Sequence, residues 1–264
     1  MKERLDVLLV NNGLAESREK AKRTIMAGLV TVDGRLEDKP GSRFDIDSDV
    51  QVKGQECPYV SRGGLKLEKA IEEWGVSCEG AVCVDMGAST GGFTDCMLQH
   101  GARKVYAIDV GYGQLDYKLR TDERVINMEK TNIRYLDTAL IEEPVDLISI
   151  DVSFISARHM FPVASELLSD KGLILCLVKP QFEAGREQVG KGGIVREPEI
   201  HREVIEKVIG YACECGLYPR ALSFSPIKGT KGNIEYLLLL SHEKCDNELD
   251  MSGVINAAHS GLNN

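Results

Sequence analysis

Between residues 81 and 241 apolar runs and helical patterns take turns, and nothing else in the sequence restricts the fold as much. Strands are expected at 81–86, 103–109, 124–128, 145–151, 172–179, 218–224 and 234–241, with helices at 91–100, 156–168 and 197–215. Strands that are apolar along their whole length need cover on both faces, and crossover helices supply it. The fold class is therefore α/β, a doubly wound domain around a mainly parallel seven-stranded sheet, with Leu65–Trp74 as a further helix before the first strand. In that architecture ligands sit at the carboxyl ends of the strands.

The first of those strand ends reads VDMGASTGG, Val84 to Gly92. A phosphate-binding turn offers bare N–H groups and a helix N-terminus, and a fixed carboxylate such as Asp85 would repel the anion. No lysine completes a P-loop between Gly87 and Thr94, and the D-x-G-x-S-x-G-G spacing departs from the dinucleotide pattern GxGxxG. A ligand with adenosine at one end and a cationic amino acid at the other suits the turn better, which points to S-adenosylmethionine (SAM). Its expected contacts are Asp85, Gly87, Ser89, Thr90, Gly91, Gly92 and Phe93. The second strand ends at Asp109-Val110, where an acid can accept both ribose hydroxyls, a spacing shared with NAD enzymes. Asn132, after the third strand, either reads an adenine edge or caps a helix.

The N-terminal part follows a different pattern. Apolar positions at helical spacing (Leu5, Leu8, Leu9; Ala21, Ile25, Met26) predict two short helices, the second capped by Ser17 and stopped by Gly28. LVTVDGRLEDKPG then predicts a hairpin turning at Asp33-Gly34, with Asp49 to Val52 as a partner strand. The expected organisation is a small α+β domain over 1–56, a linker CPYV at 57–60 and the sheet domain over 61–264. The chain is acidic, with net charge −9, which by itself disfavours nucleic acid. Yet SREKAKR, residues 17–23, concentrates four bases against one acid, so a basic face on an acidic molecule is expected.

Two more strands end on charged residues, Asp151 in DLISIDVSF and Lys179 in GLILCLVKPQFE. Lys66 in SRGGLKLEKA and Glu235 in NIEYLLLL complete a set whose members look ordinary one at a time. Together with RLDxLL and SRExAKxxIxxGxVxVDG near the start, then SRGxxKL, DxGxSxGGFTD, DVGYGQL, TNIR, IDVSFIS, VKPQFE and KGxxGNxEYL, they give a chain that resembles the TlyA family. That family, whose members often carry the name haemolysin A, joins an S4-like RNA-binding domain to a Rossmann-like SAM-dependent methyltransferase domain of the FtsJ type. The resemblance implies 2′-O-methylation of ribosomal RNA, of cytidine in 16S or 23S rRNA. It also implies a catalytic tetrad on Lys66, Asp151, Lys179 and Glu235. Methyl transfer to a ribose hydroxyl requires in-line approach and stabilisation of negative charge developing on oxygen. Lys179 is expected as proton acceptor or oxyanion partner, helped by a neighbouring cation in Lys66. Lys66 and Glu235 are expected as orienting groups for the hydroxyl and Lys179, and Asp151 as the carboxylate near the sulfonium and Lys179.

For RNA contact the candidates are Arg4, Arg18, Lys20, Lys22 and Arg23 in the first domain, with Arg62, Lys130 and Arg186 near the pocket. Phe154 is either a stacking partner for a displaced base or a core phenylalanine. The partner expected is a ribosomal subunit, with no metal: the eight cysteines include no CxxC pair and read as reduced core thiols. A monomer in the cytoplasm is expected, since no apolar run reaches the ~18 residues of a membrane span. Competing classes are a pure RNA-binding module, which leaves the sheet domain without purpose, an NAD oxidoreductase, which leaves Asp85 and the tetrad unexplained, and a pore-forming haemolysin, which needs a membrane-active segment.

Overall fold

The computed structural model describes residues 2–26, 28–52, 57–245 and 249–262. Its internal contacts divide the chain into two compact units, Met1–Arg62 and Gly63–Asn264. The first unit contains β1 (Lys2–Arg4), α1 (Leu5–Asn11), α2 (Arg18–Met26), β2 (Val30–Val32), β3 (Arg35–Glu37), β4 (Arg43–Asp45) and β5 (Val50–Val52). Ser17 caps α2, its Oγ accepting the Lys20 N–H at 3.2 Å. Gly28 ends it in the left-handed region at φ 67°. Asp33 and Gly34 both have positive φ, the requirement of a two-residue hairpin whose twist matches its strands, and they join β2 to β3 with Val32 opposite Arg35. β5 pairs on the other side of β2. The core is Leu5, Leu9, Ala21, Ile25, Val30 and Val32. Met26, expected on the apolar face, is instead exposed. The first helix starts two residues later than the pattern suggests, because Lys2–Arg4 brings no apolar side chain to the core and pairs with Arg43–Asp45 instead.

The second unit contains α3 (Gly64–Trp74), β6 (Val82–Met86), α4 (Gly92–Gln99), β7 (Lys104–Ile108), α5 (Tyr117–Arg120), β8 (Val125–Met128), β9 (Val145–Ile150), α6 (Phe161–Leu167), β10 (Leu168–Val178), α7 (Pro180–Glu183), α8 (Pro198–Glu214), β11 (Tyr218–Phe224), β12 (Tyr236–Ser241) and α9 (Met251–Gly261). The seven strands lie in the order β11-β12-β10-β9-β6-β7-β8. Only β12 runs antiparallel to its neighbours, wedged between β10 and β11. The chain therefore builds outward from β6 in one direction through β7 and β8, then returns to β6's other side with β9. That reversal leaves a crevice at the carboxyl ends of β6 and β9.

The central strands are apolar because both faces are covered. Val84, Ile148, Ile174, Leu238 and Phe161 are fully buried in one cluster, each contributing about 1.5–3 kcal/mol relative to exposure. The helix expected over 156–168 is broken: a short turn, Ala157–His159, precedes α6, whose Pro162 sits in the first turn, and Leu168 already belongs to β10. Proline has no N–H to give, so it starts a helix more readily than it continues one. α9 is capped by Asp250, which accepts the Gly253 N–H at 2.8 Å, and it buries Ile255 and Ala258 in the main core. The cysteines are free thiols, of which Cys78, Cys83, Cys96 and Cys176 are buried.

Candidate active site

The turn after β6 is built around close backbone approach. Gly87 has φ 93°, and a Cβ there would lie 2.6 Å from the Asp151 carbonyl oxygen. Only glycine lets the end of β6 meet the end of β9 so closely. The Asp151 N–H in turn donates to the Met86 carbonyl at 3.0 Å. Gly91, also at φ 93°, admits the side chains of Leu115 and Leu119 from the next loop. Gly92 begins α4, Phe93 is buried within it, and Thr90 is exposed.

Asp85 stands apart from the expectation. Its side chain is 1% exposed and does not line the cavity beside it. Oδ2 accepts from the Thr94 N–H (3.0 Å) and Thr94 Oγ1 (2.7 Å), and Oδ1 accepts from Ser149 Oγ (2.8 Å). The carboxyl thus fastens the first turn of α4 to β6 and β9 rather than meeting a ligand ammonium. Burial pushes it up to about 6, only partly offset by the Thr94 and Ser149 hydrogen bonds.

A cavity of about 390 Å³ opens at the crevice, lined by Gly87, Ser89, Asp109, Val110, Gln114, Asn132, Ile133, Asp151, Val152, Ser153, Phe154, Ile155 and Met160. Its size falls within the range of roughly 300–1,000 Å³ common to small-ligand sites. Asp109 accepts from the Ser89 N–H at 2.8 Å and the Gly111 N–H at 2.7 Å, one on each oxygen, which fixes the carboxylate and leaves a lone pair on each. Asn132 is a cap, its Oδ1 accepting the Arg134 N–H at 3.2 Å, and the residue also lines the cavity. Sequence reasoning missed Gln114, which lines the cavity, and Glu129, which accepts from the Gln114 and Leu115 N–H groups and pairs with Arg120. Burial would raise the Glu129 carboxyl, but the backbone N–H donors win and bring it down to about 2.

Beside the cavity the four charged residues from four separate segments come together. Lys66 from α3 donates to Glu235 Oε2 at 2.7 Å and lies 3.7 Å from Asp151 Oδ2. Lys179 pairs with Asp151 Oδ1 and donates to Ser153 Oγ at 3.0 Å. Both ammonium groups and Glu235 are buried, whereas the Asp151 side chain keeps 18% of its surface and faces the cavity. Burial would lower Lys66, yet Asp151 and Glu235 outweigh it and hold the ammonium above its ordinary value. Burial would likewise raise Asp151, and the two lysines reverse the direction. Asp151 therefore bridges the two cations, so the carboxylate expected near Lys179 also pairs with Lys66.

Two residues after Lys179 steady this arrangement and were not singled out from the sequence. Gln181 Nε2 donates to Glu235 Oε1 at 3.2 Å. Glu183, buried on α7, accepts from Ser156 Oγ and the Ala157 N–H, both at 2.7 Å, and so ties the loop after β9 to the segment after β10. Their signal was present in VKPQFE, but nothing in the residue types said where they would point. On the same loop Phe154 is 91% exposed at φ 65°, with its ring 5.0 Å from that of Phe182. The core reading of Phe154 is thereby excluded.

The basic candidates divide. In the first unit Arg4 and Arg18 grip the fully buried Asp6, with Arg4 Nε at 2.9 Å and Arg18 Nη2 at 3.0 Å. The Arg4 hydrogen bond holds the Asp6 carboxyl down at about 2 against the opposing effect of burial. Lys20 pairs with Glu16 and Lys22 with Glu19, while Arg23 and Arg62 are exposed. In the second unit Lys130, at φ 59°, lies over the Tyr112 ring at 4.1 Å, and Arg186 sits exposed in a short turn. Among the described residues no group of three or more His, Cys, Asp or Glu side chains is placed to hold a metal ion.

Comparison with known proteins agrees with this geometry. Residues 59–242 match the family described as FtsJ-like methyltransferase, and residues 3–50 match the S4 domain. The chain is 41% identical over 260 residues to the 16S/23S rRNA (cytidine-2′-O)-methyltransferase TlyA of Mycobacterium tuberculosis, covering 98% of this chain and 97% of that one. It is 55% identical over 240 residues to a Bacillus subtilis protein provisionally named an rRNA methyltransferase, covering 90% and 85%. A solved structure from Streptococcus thermophilus that carries the name hemolysin is 48% identical, with TM-score 0.78 over 99% of this chain and 97% of that one.

Proposed function

The chain belongs to the TlyA family of S4-domain, FtsJ-like methyltransferases, and from that premise we propose that it is a SAM-dependent rRNA (cytidine-2′-O)-methyltransferase. The observation that carries the reading is the contact of a chain of ion pairs, Glu235–Lys66–Asp151–Lys179, with an adenosine-sized cavity through one shared carboxylate, Asp151. The residues present suit SAM. Asp109 offers two lone pairs to ribose hydroxyls, Asn132 and the apolar Val110 and Ile133 offer an edge and faces to adenine, and Asp151 offers negative charge toward a sulfonium. When bound, SAM supplies an electrophilic methyl group.

The chain's own residues supply position and charge. An ammonium has three N–H donors, and Lys179 spends two on Asp151 and Ser153. The third is free for a ribose 2′ oxygen on which negative charge builds, which supports the oxyanion-partner role rather than that of proton acceptor. Lys66 and Glu235 fix each other and, through Asp151, the direction of that donor. Phe154, on the lip of the cavity, offers a face on which a base drawn out of its stack can rest. Among the described residues no helix is long and apolar enough to cross a membrane.

The test is transfer of label from tritiated SAM to separated ribosomal subunits, followed by mapping of the modified ribose. Methylated cytidine is the expected product, with Lys179→Ala slower by about 100- to 1,000-fold at unchanged SAM affinity. A pocket that takes up NADH and ignores adenosylhomocysteine in calorimetry would overturn the reading, as would full transfer by folded Lys179→Ala.

A further inference from the structure

Two glycine-rich loops stand beside Glu235. One folds back on itself through a bridge between Gly190 and Ile194, and the other leads from β11 into β12. Asn233, 2% exposed, stitches them: Oδ1 accepts the Val195 N–H at 3.1 Å and Nδ2 donates to the Gly193 carbonyl at 2.9 Å. Lys231 and Arg196 both lie against the first loop, since a Cβ on Gly193 would lie 3.5 Å from Lys231 Nζ and one on Gly190 3.4 Å from Arg196 Nη1. The second loop also closes on the tetrad, for a Cβ on Gly229 would lie 2.0 Å from Glu235 Oε1. Lys231 is held at φ 62°, a conformation that is strained for a residue other than glycine and persists where the surroundings impose it.

The charge on this lip differs from that around β7 and β8. There Arg103, Lys104, Lys118, Arg120 and Arg124 each face an acid. On the lip Lys191, Arg196 and Lys231 are exposed, and among the described residues none of the three makes an ion pair. Within a chain of net charge −9, cations left unneutralised on loops of fixed shape form a ready site for a polyanion.

We propose that this lip is a second RNA-docking surface, in which Lys191, Arg196 and Lys231 hold phosphodiesters flanking the target ribose on the Glu235 side of the tetrad. The inference rests on the reading of the chain as an RNA methyltransferase. Phosphate contacts carry no sequence information, so the lip sets register and affinity while the cavity and the S4 domain decide what is modified.

The full-length chain carrying Lys191→Ala with Lys231→Gly tests it, because glycine adopts φ near 60° without strain and both side chains lie outside the tetrad. Binding to protein-free 16S and 23S rRNA is measured across a salt series. The slope of log affinity against log salt should flatten by about 1.4–1.8, the loss of two phosphate contacts, with SAM affinity by calorimetry unchanged. An unchanged slope overturns the proposal. So does a defect seen with intact subunits but absent with bare rRNA, which would give the lip to a ribosomal protein. Failure of the wild-type chain to transfer methyl would overturn the parent reading instead, and the slope would still decide for or against the lip.

Discussion

Asp85 and Gly87 sit two residues apart and fail in opposite ways when replaced. Asp85 keeps its proton up to about pH 6 in the fold, against an ordinary 3.8, so the native chain binds the extra proton between those values and stability falls as pH rises through that window. Asp85→Asn removes the loss, and urea unfolding should show on the order of 2 kcal/mol more stability at pH 7 and a flat profile between pH 4 and 6. SAM affinity should change by only a few fold; a loss of several hundredfold would return Asp85 to the ligand. Gly87→Ala should cost about 3 kcal/mol or more, read as a fall in Tm, because both the positive φ and the Asp151 backbone oppose a Cβ and neither can swing aside. Asp85 was legible as an unusual charge at the end of an apolar strand, but the direction of its side chain was not. Cross-strand register puts Ser149 directly opposite it on the neighbouring strand, and that pairing of two polar residues inside apolar strands is a fact of β6 against β9 that neither segment states alone.

Among the elements, the strands were readable because each is an apolar run long enough to outweigh its neighbours. What escaped was short or depended on partners: β1, which exists through β4, and α5, a single turn capped by Asp116. The coupling between the loop after β9 and the segment after β10 is of the second kind, carried by Glu183. Glu183→Ala leaves the Ala157 N–H and Ser156 hydroxyl without their acceptor, at a cost of about 1–3 kcal/mol in thermal unfolding. Because Asp151 and Phe154 ride on that loop, kcat should fall about tenfold or more while SAM affinity moves less. Glu183→Gln should recover most of the stability, since burial already holds the Glu183 carboxyl above its ordinary value.

At the scale of the whole molecule the motifs picked out four charged residues that do meet in the fold, while the grip of Arg4 and Arg18 on Asp6 was hidden. Basic residues near the start read as RNA contacts, and nothing in their spacing shows that two of them neutralise a buried acid. Arg18→Glu should therefore destabilise the first unit by setting a carboxylate against Asp6, read as a lower midpoint in denaturant titration. Lys22→Glu with Arg23→Glu spares that core and should weaken rRNA binding on the order of tenfold at physiological salt, leaving SAM binding intact in calorimetry. β12 carries one further implication. The strand that fills the gap between β10 and β11 is the last of the sheet to be synthesised, and Glu235 immediately precedes it. Translation thus delivers Glu235 only after Lys66, Asp151 and Lys179 have all emerged, so the ion pair that Glu235 makes with Lys66 is the last of the four-residue set to form.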